Sequence, residues 1–168
     1  MDLINSWHMN EHESAAMWRL YARTNEAIAI RSTYQRLYDC LPPIAYVGVV
    51  RYHDYDAEWM AEGNTLYPYV HKLRSFEHEK ELRAVIQDLE NLPTSINPDT
   101  DGSTIQAGIP NPEVGKRVEV SITDLVETIY VSPTAPDWFR DLVEAVTVKY
   151  GLANKPVIRS SLDNDPVY

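Results

Sequence analysis

The C-terminal third of the chain constrains the fold most strongly, because it predicts a strand, a helix and a second strand in succession. The β-branched and aromatic run Thr128–Val131 favours a strand. Pro136 and Asp137 indicate the start of a helix, Gly151 indicates its end in a left-handed cap, and Pro156–Ser160 predicts the next strand. We expect this helix to bury one apolar face, formed by Trp138, Phe139, Leu142, Val143 and Val146. This order of elements is typical of a sheet that is covered by a helix.

Strands and helices alternate along the rest of the chain as well. Its β-branched and aromatic runs predict strands at Leu3–Met9, Glu26–Arg31, Ile44–Tyr52 and Arg117–Ser121. Helices are expected to begin after a cap at Asn10, after a cap at Ser32 or Thr33, and at Thr123. The run Ile44–Tyr52 has the composition of a central strand. The alternation predicts an α/β or α+β protein, with a mixed central sheet covered by helices.

The length of 168 residues predicts a single domain that covers residues 1–168. Within it, the segment 92–115 contains four prolines and three glycines and shows little periodicity. A connector of that length is unusual in a compact domain. We therefore expect residues 92–115 to form either a mobile functional loop or an exposed insertion.

Charge and cysteine content limit the class of partner. The formal net charge is −10, which opposes docking on a nucleic-acid backbone. Cys40 is the single cysteine, so no internal disulfide is possible and a reducing compartment is favoured. The N-terminal residues resemble no secretory signal, and no stretch approaches 18 apolar residues. We expect a soluble, cytoplasmic protein that does not contact membranes.

The segment "FEHEKELR", residues 76–83, admits two local structures. A helix capped by Ser75 would place its charges in water, and the longer run of apolar matches favours that interpretation. A strand that starts near Glu79 would instead display Glu79, Glu81 and Arg83 on one face. The two carboxylates would then stand about 7 Å apart beside a guanidinium.

Several blocks of the sequence together resemble the bacterial domain-of-unknown-function 2971 family. These blocks are "WHMNEHESAAMWRLYARTNEAIAI", "FEHEKELRAVI", "IYVSPTAPDWFRDLVEAVTVKYGL" and "VIRSSL". The resemblance implies that Met17, Trp18 and Tyr21 belong to a helix before a strand. It also implies a short turn of helix near Ser75 and a strand from about Glu81. Members of that family usually carry a further N-terminal segment, so the resemblance implies that this chain corresponds to the C-terminal portion of the family domain.

The leading candidates for catalytic residues are Glu79, Glu81 and Arg83. Paired carboxylates can transfer protons, orient a ribose hydroxyl or hold a divalent cation, while an arginine can bind phosphate. The competing interpretation is a salt-bridged strand edge or helix face, since ion-pair networks occur without any catalytic role.

Candidate binding residues are Lys72, Trp18, Tyr21, Ser32 and Thr33. Lys72 lies in "YPYVHKLR", where aromatic and basic residues alternate and either face a nucleotide or form a basic, partly buried surface. Trp18 and Tyr21 are either pocket-wall or core aromatics. The pairs Glu79/Glu81 and Ser32/Thr33 are loosely similar to the Glu-x-Glu strand and the Ser-Thr stretch of ADP-ribosyltransferases. That similarity implies roles at a ribose and at a nicotinamide pocket.

The sequence predicts no metal site. His8 and His12 have the spacing of a zinc-binding helix pair, but the expected cap at Asn10 places His8 on a strand. Further ligands are not evident, because Cys40 is isolated. Phosphate-loop, dinucleotide-binding, serine-hydrolase and Cys-x-x-Cys motifs are also missing from the sequence.

Two functional hypotheses follow. One is a nucleotide-handling domain of a bacterial or phage protein, with a Glu-x-Glu-x-Arg site that resembles ADP-ribosyltransferases and a small nucleotide as ligand. The other is a non-catalytic binding module that uses its acidic surface and the 92–115 loop. The sequence leaves open the cofactor, the oligomeric state and whether the protein is an enzyme.

Overall fold

The computed structural model describes residues 2–58, 63–87, 115 and 117–162. The chain divides into two compact units. The first unit comprises Met1–His8 and Pro42–Val118, and the second comprises Met9–Leu41 and Glu119–Tyr168. Apart from residue 115, the loop expected at 92–115 lies outside the described residues.

Both helices and strands are present, which confirms the α+β class. The strands are β1 (Asp2–His8), β2 (Ile28–Arg31), β3 (Tyr46–Val49), β4 (Arg51–His53), β5 (His71–Leu73), β6 (Glu81–Gln87), β7 (Thr128–Val131) and β8 (Val157–Arg159). The α-helices are α1 (Ala15–Tyr21), α2 (Tyr34–Cys40), α3 (Ile122–Leu125) and α4 (Asp137–Lys149). Two short 3₁₀ helices, Tyr67–Tyr69 and Arg74–Glu79, flank β5. In the described ranges, no helix is long and apolar enough to cross a membrane.

The first unit is built on an antiparallel sheet with β6 in the middle. The strand order is β1-β6-β3, and β6 buries Leu82, Ala84, Val85 and Ile86. Next to this sheet, β4 and β5 form a two-stranded parallel pair.

The single central strand expected at Ile44–Tyr52 is wrong. The chain changes partner after Val50, whose N–H donates to the carbonyl of Glu81 at 2.9 Å. The next N–H, of Arg51, donates to the carbonyl of Val70 at 2.8 Å. As a result β3 pairs with β6 at one side of the sheet, while β4 pairs with β5.

A glycine allows the β5 region to approach the sheet closely. Gly48 lies opposite Arg83 in the β3–β6 register. A Cβ atom at Gly48 would lie 2.9 Å from Cγ1 of Val70, closer than carbon atoms pack. The segment that precedes β5 therefore packs directly on the face of the sheet that carries Arg83.

The second unit has a three-stranded mixed sheet of order β2-β7-β8, in which β2 is antiparallel and β8 parallel to β7. Its core consists of small and branched apolar side chains: Val126, Ile129, Val131, Ala135, Val143 and Leu152. The expected strands at Thr128–Val131 and Pro156–Ser160 and the α4 helix are confirmed. Gly151 has a φ of 78°, as expected of the cap that follows α4.

The expected apolar face of α4 is partly wrong. Val143 and Thr147 are buried and Phe139 packs partly against the core. By contrast, Trp138, Leu142 and Val146 are 55%, 49% and 43% exposed. The buried side chains of α4 are at positions 139, 143 and 147, whereas those at 138, 142 and 146 are exposed. The first set is buried because Phe139 and Val143 contact the sheet.

Two other local expectations are corrected. Helix α1 is capped by Ser14 rather than Asn10, since the Ser14 hydroxyl accepts from the Met17 N–H at 3.3 Å. Residues 117–121 form no strand, and the last of them, Ser121, immediately precedes α3 and donates through its hydroxyl to Asp124 at 2.6 Å. Thr33 caps α2 as expected, accepting from the Arg36 N–H at 3.2 Å.

Candidate functional site

The segment "FEHEKELR" contains both a helical turn and a strand. The 3₁₀ helix Arg74–Glu79 ends at Lys80, which has a φ of 41° and a ψ of 59°, and β6 begins at Glu81. The short turn near Ser75 and the strand from Glu81 are therefore confirmed. A left-handed conformation is unusual for lysine, and here it turns the chain sharply between the two glutamates.

Lys72 joins the two carboxylates. Its ammonium group donates to Glu79 through a short ion pair and to Oε1 of Glu81 at 2.9 Å. Lys72 reaches them from β5, where it is paired with Tyr52 of β4. Glu79 belongs to the 3₁₀ helix, so the two carboxylates do not share a strand face as the strand interpretation required.

Arg83 completes the group. Its Nε donates to Oε2 of Glu81 at 2.6 Å, and its Nη1 donates to the Tyr69 carbonyl at 2.7 Å. Both oxygens of Glu81 are thus held by cations. We call the four side chains of Lys72, Glu79, Glu81 and Arg83 the glutamate cluster.

Two residues that the sequence analysis did not place in the site hold the backbone of the glutamate cluster. The Tyr52 hydroxyl accepts from the Glu81 N–H at 2.8 Å. His8 lies opposite Glu81 in the β1–β6 register, and its Nδ1 donates to the Glu79 carbonyl at 2.6 Å. These contacts fix the main chain on each side of Lys80. No local sequence signal indicates them, because both depend on pairing between distant strands.

Burial and charge determine the protonation state of the glutamate cluster. Counted over the whole residue, Glu79 and Glu81 are 8% and 6% exposed. Burial alone would raise the pKa of Glu81, but its side-chain hydrogen bonds with Arg83, Glu79 and Lys72 outweigh burial and hold the pKa far below its usual range. Burial alone would lower the pKa of Lys72, yet its hydrogen bonds to both glutamates raise it. Glu81 is therefore an anion and Lys72 a cation throughout the physiological range.

The tyrosine beside the glutamate cluster stays neutral. Burial raises the pKa of Tyr52 and outweighs the hydrogen bond from the Glu81 N–H, which alone would lower it, while the nearby charge of Glu81 acts in the same direction as burial. Its hydroxyl is therefore a fixed neutral acceptor for the Glu81 N–H rather than a source of charge.

Solvent reaches the glutamate cluster mainly at Lys72. Its side chain is 24% exposed, compared with 14% for Arg83, 11% for Glu79 and 8% for Glu81. The Lys72 ammonium lies 4.5 Å from the centre of the Phe76 ring, and Phe76 is itself 39% exposed. A ligand would consequently meet a cation and an aromatic ring before it met the carboxylates.

The other predicted binding residues belong to the second unit. Trp18 donates through Nε1 to Glu13 at 3.2 Å, and Tyr21 is 66% exposed. The Ser32 hydroxyl donates to the Leu125 carbonyl at 2.5 Å, and the Thr33 hydroxyl caps α2. Each of the two hydroxyls thus has a structural hydrogen bond, and a role of these four residues in binding stays a prediction.

Comparison with known proteins adds no assignment. No protein-family model matches the sequence, and neither the curated proteins nor the solved structures give a match. Membership of the domain-of-unknown-function 2971 family stays a prediction.

Proposed function

We propose that the chain is a nucleotide-handling domain in which the glutamate cluster binds a ribose. The observation that supports this proposal is the fixed ionisation of Glu81 between Arg83 and Lys72. A carboxylate has room for about four hydrogen bonds, and Glu81 already has four side-chain partners, Arg83, Glu79, Lys72 and Ser6, so a ligand hydroxyl would replace one of them. Lys72 and Phe76, at the accessible edge, suit a phosphate and a base respectively.

The fixed charge of Glu81 suits it to electrostatic stabilisation rather than to proton transfer. A carboxyl group with a strongly lowered pKa is a poor general acid and a weak general base near neutral pH. It is suited to hold a hydroxyl and to stabilise positive charge that develops on a ribose ring. These are the roles that the similarity to ADP-ribosyltransferases implies for Glu79 and Glu81. In such a reaction the bond between ribose and nicotinamide breaks, nicotinamide leaves, and an incoming nucleophile bonds to the ribose.

A non-catalytic binding module is the second candidate. It is favoured because the two carboxylates and the two cations of the glutamate cluster form ion pairs with one another, so that their charges are neutralised within the cluster. A balanced group of this kind can recognise a nucleotide without transforming it. We further propose, from the sequence, a cytoplasmic bacterial or phage protein related to the domain-of-unknown-function 2971 family.

Binding and turnover of NAD distinguish the two candidates. The purified chain is incubated with NAD labelled in the nicotinamide group, and both bound nucleotide and released nicotinamide are measured. We expect Glu81→Gln to weaken binding more than tenfold, because a hydrogen bond to a charged group contributes about 1.5–3 kcal/mol.

The matched control is Glu77→Gln, which removes an exposed carboxylate from the 3₁₀ helix that carries Glu79. It should leave binding unchanged. Binding without release of nicotinamide would favour the non-catalytic module. Failure of the unaltered chain to bind NAD, ADP-ribose or AMP would refute the nucleotide proposal altogether.

A further inference from the structure

Two histidines lie on the opposite side of the β4–β5 pair from the glutamate cluster. His53 ends β4 and His71 begins β5. In the parallel register Arg51 is paired with His71 and Tyr52 with Lys72. Because residues two apart along a strand share a face, His53 and His71 lie on one face, and Tyr52 and Lys72 lie on the other.

The hydrogen bonds of the two imidazoles fix which nitrogen carries a proton. Nδ1 of His53 lies 2.6 Å from a carboxylate oxygen of Glu58, and Nδ1 of His71 lies 2.7 Å from the Tyr67 carbonyl. Both oxygens only accept, so both Nδ1 atoms are donors. In the neutral rings each Nε2 therefore has its lone pair available.

A second layer of contacts holds His53 in this orientation. The other oxygen of Glu58 accepts from Arg74 at 2.8 Å, which anchors the carboxylate that in turn holds His53. A carboxylate that accepts from Nδ1 while Nε2 is left for an ion is the usual support of a metal-binding histidine. A backbone carbonyl, such as that of Tyr67, serves the same purpose.

Three buried side-chain atoms have no hydrogen-bond partner within the described ranges: Nε2 of His53, Nε2 of His8 and Oε2 of Glu127. Of these, Nε2 of His53 belongs to a ring that contacts a second imidazole, that of His71. Buried polar atoms are normally paired, so an unpaired one needs an explanation, of which a bound ion is one.

The separation of the rings agrees with a shared ion. The ring centres of His53 and His71 are 4.8 Å apart, with their planes inclined at 31°. Two imidazoles that bind a tetrahedral zinc ion at about 2.1 Å have ring centres about 5 Å apart. We propose that His53 and His71 bind a divalent transition metal of the Zn²⁺ type through their Nε2 atoms.

The coordination offered by the protein is incomplete. No group of three or more histidine, cysteine, aspartate or glutamate side chains that could hold an ion occurs in the part of the chain that the structure describes. The two imidazoles therefore supply two ligands, and water or a small anionic ligand fills the other positions. Imidazole ligands suit Zn²⁺ and Cu²⁺ and discriminate against Mg²⁺. No local signal in the sequence indicates this pair, because the parallel pairing of β4 and β5 brings the two residues together.

The test begins with the unaltered full-length chain. After chelation and removal of the chelator, it is titrated with ZnCl₂ while the imidazole nitrogens are followed by nuclear magnetic resonance. We expect one ion to bind per chain, with large shifts of Nε2 in His53 and His71, and no response to MgCl₂. Shifts confined to His8, His12 or His78, or no binding at millimolar ZnCl₂, would overturn the proposal.

Variants then separate the ligands from their support. His53→Asn and His71→Asn should each weaken zinc binding at least tenfold, whereas His78→Asn, at an exposed position of the 3₁₀ helix Arg74–Glu79, should not. Glu58→Gln keeps both imidazoles and should weaken binding by about 10-fold to 100-fold. Circular dichroism verifies that each variant is folded. Zinc affinity equal to that of the unaltered chain in folded His53→Asn and His71→Asn would show that the ion binds elsewhere.

Discussion

The two units of the chain stabilise their central strands in different ways. In the second unit, β7 is held by apolar packing, with Val131 fully buried and Ile129 4% exposed. In the first unit, β6 also buries apolar side chains such as Val85, but it begins with a buried carboxylate that is held by Lys72 and Arg83. Apolar packing tolerates small changes in volume gradually, whereas a buried charge depends on the presence of its partner. The comparison therefore predicts different responses to substitution.

The largest effect is expected from a cavity in the second unit. Ile129→Ala should lower the free energy of unfolding of this unit by about 3–5 kcal/mol, since it removes buried methyl groups that the neighbouring side chains cannot replace. Ile129→Val, the matched control, should cost only about 0.5–1.5 kcal/mol. Hydrogen exchange of the β7 amides measures both. Equal losses for the two variants would contradict a packing origin.

The corresponding change in the glutamate cluster is Lys72→Met. It keeps much of the side-chain volume but leaves Glu79 buried without its cation, so we expect a loss of about 3 kcal/mol, the lower end for a broken buried pair, because Lys72 is partly exposed. Hydrogen exchange of the β6 amides measures this loss of stability.

A second substitution tests the charge explanation. Adding Glu79→Gln to Lys72→Met removes the unpaired charge, so the double variant should be more stable than Lys72→Met alone, with an interaction energy above about 1 kcal/mol. A strictly additive double variant would show that the contact between Lys72 and Glu79 contributes through packing rather than charge.

The dependence of stability on pH should differ between the two units. The pKa of Glu81 is lower in the folded protein than in the unfolded chain, so its contribution is present above the unfolded value, about 4.3, and is lost as the pH falls towards the folded value. The pKa of Lys72 is raised above 10.5, so its contribution is present below 10.5 and is lost as the pH rises through the folded value. We expect β6 amides to lose more protection than β7 amides in acid below about pH 4. Glu81→Gln should abolish that difference, and equal acid sensitivity of the two strands would contradict it.

The smallest expected effect concerns the turn between the two glutamates. Lys80 is in the left-handed region, which costs a residue with a side chain about 1 kcal/mol relative to glycine. Lys80→Gly should therefore leave stability unchanged or raise it by up to about 1 kcal/mol, while the β-branched Lys80→Val should lower it. Thermal unfolding of the two variants gives the comparison. A more stable Lys80→Val would show that this turn is not left-handed.

The part of the second unit from Thr128 onwards was the easiest to predict, because its signals are local. A β-branched run, a proline at a helix start and a glycine at its end are read from neighbouring residues, and β7, α4 and the Gly151 cap all appear where expected. The buried face of α4 was predicted only in part, since apolar residues occupy more than half of the helix positions. Only contact with the sheet decides that Val143, rather than Leu142, is buried.

The glutamate cluster was predictable only in part. Glu79, Glu81 and Arg83 are close in sequence and could be nominated from their pattern. Lys72 was nominated for a nucleotide, yet its ion pairs with both glutamates depend on the parallel pairing of β4 and β5. Tyr52 and His8 were missed because the exchange of strand partners at Val50 and the register of β1 with β6 leave no mark in a short stretch of sequence.

The ionisation of Glu81 is the central claim and can be measured directly. The carboxyl carbon of Glu81, assigned by comparison with Glu81→Gln, is followed by nuclear magnetic resonance as the pH is lowered. We expect it to stay ionised well below about pH 4.3, where an ordinary glutamate is half protonated, until the first unit unfolds. A midpoint near 4.3 in the folded protein would show that Lys72 and Arg83 do not hold this carboxylate, and the proposed ribose site would lose its basis.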